Sequence, residues 1–266
     1  MNKIAFIGAG NMASAIANGI IRSGLALENN TILYDINADQ FKKFPSGCIY
    51  ANSATDACNL ADYIFFSVKP QNIKSVLNEI KNADIQEKVF VSICAGITIQ
   101  SIEDIIGKQK IIRTMPNTPI LIGQGVTAIC KNSYVTDEEF AFVNSLFSSS
   151  GDTIELVEED INAVTAVTSS SPSYIYWFVK SMFDGAERIG LKNEKLIEII
   201  CKTFIGSANM ILSSNASIDE LIRMVKSPNG TTERALNVFE ERNISGIISD
   251  AMKACADRAE ELSRLN

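Results

Sequence analysis

One short segment, SPNGTTERAL at residues 227–236, interrupts a long run of helical character with residues suited to bind an anion. Pro228 cannot continue a helix, and Asn229-Gly230 favours a turn. Thr231-Thr232 then begin the next helical stretch. Their exposed N–H groups and hydroxyls, together with the Ser227 hydroxyl, form a cradle fit for a carboxylate. On spacing alone, a capped helix–turn–helix is the alternative interpretation.

A second segment, FIGAGNMASA, carries the pattern GxGxxA between a strand-like apolar run and a helical one. Gly8 permits a tight turn, Gly10 lets the backbone approach a pyrophosphate, and the small Ala13 lets helix and strand pack closely. The N–H groups at the start of the helix then face the phosphates. In this context the pattern predicts a dinucleotide site, with a merely glycine-rich turn as the alternative.

Two further polar residues follow predicted strands. Asp35 lies about twenty residues beyond the glycines, where an acid accepts hydrogen bonds from the adenosine ribose and repels a 2′-phosphate. Asp35 therefore favours NADH over NADPH as the predicted cofactor. The alternative interpretation is that Asp35 is a solvated carboxylate at the end of a strand, without a role in binding. Lys69, within Ser67-Val68-Lys69-Pro70, lies where open parallel sheets bind ligands, but spacing alone does not separate it from a surface lysine.

The composition excludes several kinds of site. The chain has no histidine, which excludes imidazole acid–base catalysis, Ser-His and Cys-His dyads and His-ligated metals, and we predict no metal site. A net charge of −7 without a basic run predicts binding neither to nucleic acid nor to an anionic membrane. The six cysteines lack CxxC spacing, which favours reduced thiols in a cytoplasmic protein. No stretch reaches the roughly 18 uncharged apolar residues of a membrane-spanning helix.

The spacing of apolar residues, which predicts the helices and strands that position these side chains, changes near residue 160. Before it, short continuous apolar runs alternate with amphipathic segments, which is typical of a doubly wound parallel sheet. After it, apolar residues recur at three-to-four spacing, the period of helices. We predict an α/β Rossmann dinucleotide-binding domain at residues 1–159 and an all-α helical substrate and dimerisation domain at residues 160–266.

The apolar and helical periods also give bounds for the elements. The predicted strands are Lys3–Ile7, Thr31–Asp35, Tyr63–Val68, Lys88–Ile93, Lys110–Met115 and, less regularly, Thr153–Val157. The predicted helices are Met12–Ser23, Gln71–Lys81, Ile99–Ile106, Asp137–Ser148, Ile161–Ile189, Glu194–Leu212, Ile218–Val225, Thr232–Glu241 and Ser245–Leu265. The stretch Tyr174 to Phe178 holds the only tryptophan and predicts a helix buried in the core or in a subunit interface. A helical half with this apolar content commonly buries its excess apolar surface by dimerising, so we predict a homo-oligomer.

With these residues identified, the chain resembles the pyrroline-5-carboxylate reductase family from end to end. The resemblance rests on the segments FIGAGNMASAI, SVKPQ, SICAGIT, IIRTMPNTP, VTAVTSSSPSYIYWF and MVKSPNGTTERAL. The last is the most specific, because it matches the family signature of the helical domain and owes nothing to the general dinucleotide fold. The resemblance implies NAD(P)H-dependent reduction of 1-pyrroline-5-carboxylate to L-proline, the last step of proline biosynthesis. It also implies dimers that often associate further, up to a decamer.

The resemblance implies roles for individual residues as well. Besides Asp35, the implied cofactor-binding set is Gly8, Gly10, Asn11, Met12, Asn52, Ser67, Val68, Lys69, Pro70, Cys94, Ala95 and Thr165. In that set Asn52 approaches the adenosine ribose, and Thr165 faces the nicotinamide amide. The implied substrate pocket consists of Ser227, Thr231 and Thr232. Thr232 is the expected catalytic residue, with its hydroxyl donating toward the substrate ring.

The missing histidine is compatible with this reaction, because a cyclic imine is basic enough to arrive partly as iminium or to take a proton from solvent.

Two segments depart from the family pattern: Ser169-Ser170-Ser171 stands where glycines are usual, and residues 213–218 replace a segment that commonly carries an acid and a proline. Both departures bear on the shape of the pocket. Two other interpretations stay open: a β-hydroxyacid dehydrogenase using Lys180 or Lys202, and a non-catalytic dinucleotide sensor.

Overall fold

The structure, a computed structural model, describes residues 2–265. The chain folds into two compact units: the part up to Pro172 together with the part from Ala254 onward, and Ser173–Lys253 between them. Strands end before residue 160, as the sequence indicates. The compact units are nevertheless divided at other residues, and a domain boundary at 159/160 stays a prediction.

The first unit is built on an eight-stranded sheet. Its strands are β1 Ile4–Ile7, β2 Thr31–Tyr34, β3 Ile49–Tyr50, β4 Tyr63–Phe66, β5 Val89–Ser92, β6 Lys110–Pro116, β7 Gly125–Lys131 and β8 Gly151–Glu155. Their spatial order is β3-β2-β1-β4-β5-β6-β7-β8, and every pair is parallel except the antiparallel β6–β7. From β1 the strands β2 and β3 are added on one side of the sheet, and from β4 onward they are added on the other side. The carboxyl ends of β1 and β4 therefore border the crevice in which such sheets bind ligands.

Eleven α-helices accompany the sheet within residues 2–265. They are α1 Asn11–Arg22, α2 Ala54–Leu60, α3 Ile73–Ile80, α4 Ile99–Ile106, α5 Asp137–Ser148, α6 Ile161–Val164, α7 Ser171–Arg188, α8 Leu196–Ser213, α9 Ile218–Val225, α10 Thr231–Glu241 and α11 Ile244–Leu265. Helices α1 and α5 pack on one face of the sheet, and α2, α3 and α4 pack on the other. Because both faces are covered, all four residues of β1 are buried, which explains its continuous apolar run.

The structure adds three elements that the sequence patterns did not predict. β3 has only two residues, both exposed, and so leaves no apolar run. The sequence patterns also did not predict β7 and α2; β7 pairs antiparallel with β6 and parallel with β8. One predicted helix, Ile161–Ile189, is interrupted by a π-helical turn at Thr165–Ser169. In that turn the Thr165 and Thr168 hydroxyls donate to carbonyls four residues back, which competes with regular helical bonding.

Apolar side chains of the second unit are largely exposed in the single chain. Tyr176 and Trp177 are 63% and 64% exposed in the single chain. Of the two predicted locations for this stretch, the core is therefore wrong, and the subunit interface stays a prediction. Helix α8 is apolar over 18 residues, of which 11% are buried, and by length and composition alone it could cross a membrane. The sequence analysis looked for stretches without any charged residue. It therefore passed over α8, which carries the ion pair Lys202–Glu198 at 2.6 Å.

We expect the exposed apolar face to be covered by a second copy of the chain. Light scattering at micromolar concentration should give at least twice the chain mass of 29.0 kDa. Ile205→Glu, on the exposed face of α8, should shift the mass toward one chain, because a buried unpaired charge destabilises an interface. Lys81→Glu, an exposed charge change in the first unit, is the control. A wild-type mass of one chain would contradict the expectation.

Candidate active site

A cleft of about 730 Å³ lies at the carboxyl ends of β1, β2 and β4. Its position matches the crevice expected where the strand order reverses. Of the predicted cofactor residues, seven line it: Gly8, Gly10, Asn11, Asp35, Ser67, Val68 and Lys69. Six do not line it: Met12, Asn52, Pro70, Cys94, Ala95 and Thr165. The loop after β1 and the ends of β2 and β4 thus meet as the sequence indicated.

Gly8 is fixed between the two neighbouring strands. Its φ of +98° is in the region that favours glycine, and a Cβ there would lie 2.7 Å from the backbone of Ser67 and Val68. Its N–H donates to the Tyr34 carbonyl at 2.8 Å, and its carbonyl accepts from the Ser67 hydroxyl at 2.6 Å. The Ser67 hydroxyl therefore holds the glycine loop in place.

Gly10 presents open space to the cleft. A Cβ built there would have no described atom within 4 Å, and its φ of −72° is ordinary. Gly10 is also the N-cap of α1, where no side chain caps the first amides within the described chain. Free N–H groups, a positive helix end and an open approach fit a pyrophosphate. The residues present thus suit a dinucleotide.

Asp35 has a structural role that the sequence did not reveal. One carboxylate oxygen accepts the Ala9 N–H at 2.7 Å, and the other accepts the Asn37 N–H at 2.8 Å. The carboxylate thereby ties the end of β2 to the glycine loop. Each oxygen keeps a further lone pair, so the same carboxylate can still accept a ribose hydroxyl.

Lys43 lines the same cleft and was not predicted. It ends the 3-10 turn Ala38–Lys43, and its Nζ donates to Asn11 Oδ1 at 2.7 Å and to Gln40 Oε1 at 2.6 Å. The sequence offered a signal, since a lysine pair follows the second strand within ten residues of Asp35. A cation and an anion therefore both border the adenosine side of the cleft.

Three predicted cofactor residues that do not line the cleft have other surroundings. The Cys94 thiol donates to the Phe66 and Val68 carbonyls, both at 3.3 Å, and burial raises its pKa to about 12. It therefore stays protonated and supports the end of β4. Asn52 is exposed and donates to Asp56. Thr165 begins the π-turn, half-buried.

The predicted substrate segment forms a tight turn in the second unit. α9 ends at Val225, the Gly230 N–H donates to the Ser227 carbonyl at 3.0 Å, and Asn229 has a left-handed φ of 58°. The Asn229 N–H donates to a carboxylate oxygen of Glu233 at 2.8 Å. The turn thus satisfies its own amides before α10 begins.

The first turn of α10 begins at a glycine. Its N-cap is Gly230, and among residues 2–265 no side chain caps it. The preceding helix α9, by contrast, has a complete capping box between Ser217 and Glu220. No side-chain cap from the described residues therefore occupies the amides at this helix start, a feature that α10 shares with α3, α6 and α8. The anion cradle of Thr231 and Thr232 stays a prediction.

Known proteins match the chain over its length. Residues 158–262 match the domain described as "Pyrroline-5-carboxylate reductase dimerisation", and residues 3–96 match "NADP oxidoreductase coenzyme F420-dependent". Pyrroline-5-carboxylate reductase of Escherichia coli (strain K12) is 36% identical over 265 residues, which cover 98% of both chains. The chain belongs to the pyrroline-5-carboxylate reductase family.

Two more likenesses bear on this family member. Pyrroline-5-carboxylate reductase of Corynebacterium melassecola is 34% identical over 99% of this chain and 100% of its own. The crystal structure of Plasmodium falciparum pyrroline carboxylate reductase with NADP bound matches with a TM-score of 0.91, 30% identity and 98% coverage of each chain. The predicted Rossmann domain followed by an all-helical dimerisation domain is confirmed, as are NAD(P) binding and self-association.

The two glycines of the loop give a matched pair of variants. Gly8→Ala should lower stability by about 1–3 kcal/mol, because a Cβ at positive φ meets backbone, and should weaken NADPH binding as the loop shifts. Gly10→Ala should leave the melting temperature unchanged but weaken NADPH binding by roughly tenfold or more, since its methyl occupies the phosphate approach. Calorimetric melting and NADPH titration test both. Unchanged NADPH affinity in Gly10→Ala would contradict this assignment.

Proposed function

We propose that the protein reduces 1-pyrroline-5-carboxylate to L-proline with NADPH or NADH, the last step of proline biosynthesis, in the cytoplasm. The full-length likeness to pyrroline-5-carboxylate reductases carries the proposal. The uncapped first turn of α10, in the segment that holds the family signature, supports it. The direct test follows NADPH or NADH oxidation with the cyclic imine as substrate. No oxidation with either cofactor would refute the proposal.

The proposed chemistry places modest demands on the side chains. The imine carbon gains a hydride, the C=N double bond becomes a single bond, and the ring nitrogen ends with one added proton. When bound, the reduced nicotinamide supplies the hydride. The protein has to hold an anionic substrate against its own net charge of −7, orient the ring and exclude water. None of these tasks requires a histidine.

We assign these tasks to the turn before α10. The amides of Thr231 and Thr232, at the positive end of the helix, hold the substrate carboxylate. The Ser227 hydroxyl completes the pocket. The Thr232 hydroxyl donates toward the ring, which fixes the imine carbon for hydride delivery. Thr232 is thus the proposed catalytic residue.

The geometry does not favour the competing enzyme class. A β-hydroxyacid dehydrogenase would need a lysine as acid–base in the helical half, with Lys180 and Lys202 as candidates. Each of them forms an exposed ion pair with an acid four residues away on its own helix, Asp184 and Glu198 respectively. Such pairs are typical of a solvated helix surface. A non-catalytic sensor, in turn, would not need the uncapped turn of α10.

Thr232→Val tests the catalytic assignment, because valine keeps the shape and the backbone amide but removes the hydroxyl. Loss of one hydrogen bond to a polar reacting group is worth about 1.5–3 kcal/mol, so kcat/KM should fall roughly ten- to a hundredfold. Proline should bind more weakly as a product inhibitor, and NADH affinity should stay the same. Thr203→Val, on the exposed surface of α8, is the matched control. Full activity with a lower melting temperature would contradict the catalytic assignment and indicate that Thr232 only stabilises the start of the helix.

We further propose that cofactor choice is set by two opposing charges. The Asp35 carboxylate disfavours a 2′-phosphate and so favours NADH, whereas the Lys43 ammonium attracts the phosphate. A relative with NADP bound shows that the family accepts the phosphorylated cofactor. The balance of the two side chains then sets the preference within this chain.

Asp35→Ser should raise the ratio of NADPH to NADH efficiency by about tenfold, because removing a unit charge near the surface changes the interaction by roughly 1–2 kcal/mol. Both absolute efficiencies should fall, since the carboxylate also anchors the Ala9 amide. Lys43→Met should move the ratio the other way. Steady-state kinetics with both cofactors gives the ratios. An unchanged ratio of NADPH to NADH efficiency in Asp35→Ser would contradict the assignment of Asp35.

A further inference from the structure

Asn117, directly after β6, is buried and uses both ends of its side-chain amide. It is 7% exposed; its Oδ1 accepts the Val126 N–H at 2.8 Å, and its Nδ2 donates to the Thr168 carbonyl at 3.1 Å. Val126 belongs to β7, and Thr168 belongs to the π-turn Thr165–Ser169. One side chain therefore joins the start of β7 to the π-turn.

Arg113 holds the preceding part of the same segment. It lies in β6, four residues before Asn117. Its guanidinium, 3% exposed, pairs with Glu158 at 3.1 Å and donates to Asn162 Oδ1 at 2.8 Å. β6 thus fixes the chain between residues 158 and 168 at two separate points.

The π-turn lies on the side of the sheet where the nicotinamide half of a dinucleotide is expected. The glycine loop after β1 takes the pyrophosphate, and the cleft beside β2 takes the adenosine. The other half of the cofactor must then extend across the carboxyl ends of β4, β5 and β6. The π-turn contacts both β6 and β7. Single π-helical turns are rare and frequently mark functional sites.

We propose that Asn117 is a positioning residue, which holds the π-turn, and with it Thr165, against the nicotinamide end of the bound cofactor. The inference rests on the proposed function and on the role that the family resemblance implies for Thr165, which is to face the nicotinamide. Asn117 does not line the cleft, and in this proposal it acts through the Thr168 carbonyl. Its loss should therefore affect the nicotinamide end of the cofactor and spare the adenosine end.

The experiment compares two ligands that differ only in that end. NADPH and 2′-phospho-ADP-ribose share the adenosine, the phosphates and one further ribose, and only NADPH carries nicotinamide. Asn117→Ala should weaken NADPH binding roughly three- to tenfold, the effect of one or two hydrogen bonds, and leave 2′-phospho-ADP-ribose binding within about twofold. Turnover with the cyclic imine should fall further, because a misplaced nicotinamide loses kcat as well as affinity.

Asn132→Ala is a matched control at the opposite end of the same strand pair. Asn132 also uses both amide atoms, accepting the Ile111 N–H at 3.2 Å and donating to the Gln109 carbonyl at 2.8 Å. Its loss should lower the melting temperature without separating the two ligands. If Asn117→Ala does not fold, Asn117→Asp serves, since the carboxylate keeps the acceptor for Val126 but cannot donate to Thr168.

Equal weakening of both ligands, or unchanged NADPH affinity in both Asn117 variants, would overturn the proposal and leave Asn117 as a purely structural amide. Because both titrations are made without the imine, they do not depend on catalysis. A wild-type protein that binds both ligands but does not reduce the imine would refute the proposed function. The comparison between the ligands would still decide the role of Asn117.

Discussion

The place of β1 between β2 and β4 is the constraint on which the cofactor site depends. The turn that follows β1 is bonded to both neighbours, through the Gly8 N–H to the Tyr34 carbonyl and through the Ser67 hydroxyl to the Gly8 carbonyl. Only glycine fits there, because a Cβ would lie 2.7 Å from backbone. Asp35 adds a third bond, to the next amide of the loop. The loop is therefore preorganised, and a dinucleotide loses little to ordering it.

The described helices differ in whether a side chain caps the first turn, and α1, α3, α6, α8 and α10 have no such cap among residues 2–265. Four helices, α2, α4, α5 and α9, begin at a Ser or Thr whose hydroxyl caps the first turn. The two helices assigned to ligands, α1 and α10, begin at Gly10 and Gly230 without a side-chain cap from the described residues. A hydroxyl at either position would satisfy the amides that a phosphate or a carboxylate needs. Glycine at the N-cap keeps these donors available.

The parts of this architecture that follow from local periodicity could be predicted from the sequence. Buried strands such as β1 and β4 are continuous apolar runs, and the glycine loop and the turn at Asn229-Gly230 have local signals. Features set by tertiary contacts could not be predicted. The short β3 has no apolar run to detect, and the bond between Asn117 and the π-turn joins residues about fifty positions apart. The same holds for Asp35, whose partner Ala9 is near only because β1 and β2 pair.

The second unit shows why sequence patterns predict burial but not what provides it. The helices α7, α9 and α10 have no buried residue among those described, and α8 has two, Leu196 and Ile200. Apolar surface of this extent does not stabilise a fold unless something covers it, and the match to a dimerisation domain indicates that the chain associates with itself. The turn that carries Thr231-Thr232 joins two of these helices. The proposed anion cradle is therefore built on two helices that bury none of their described residues within one chain, and covering their apolar side chains would stabilise the turn between them.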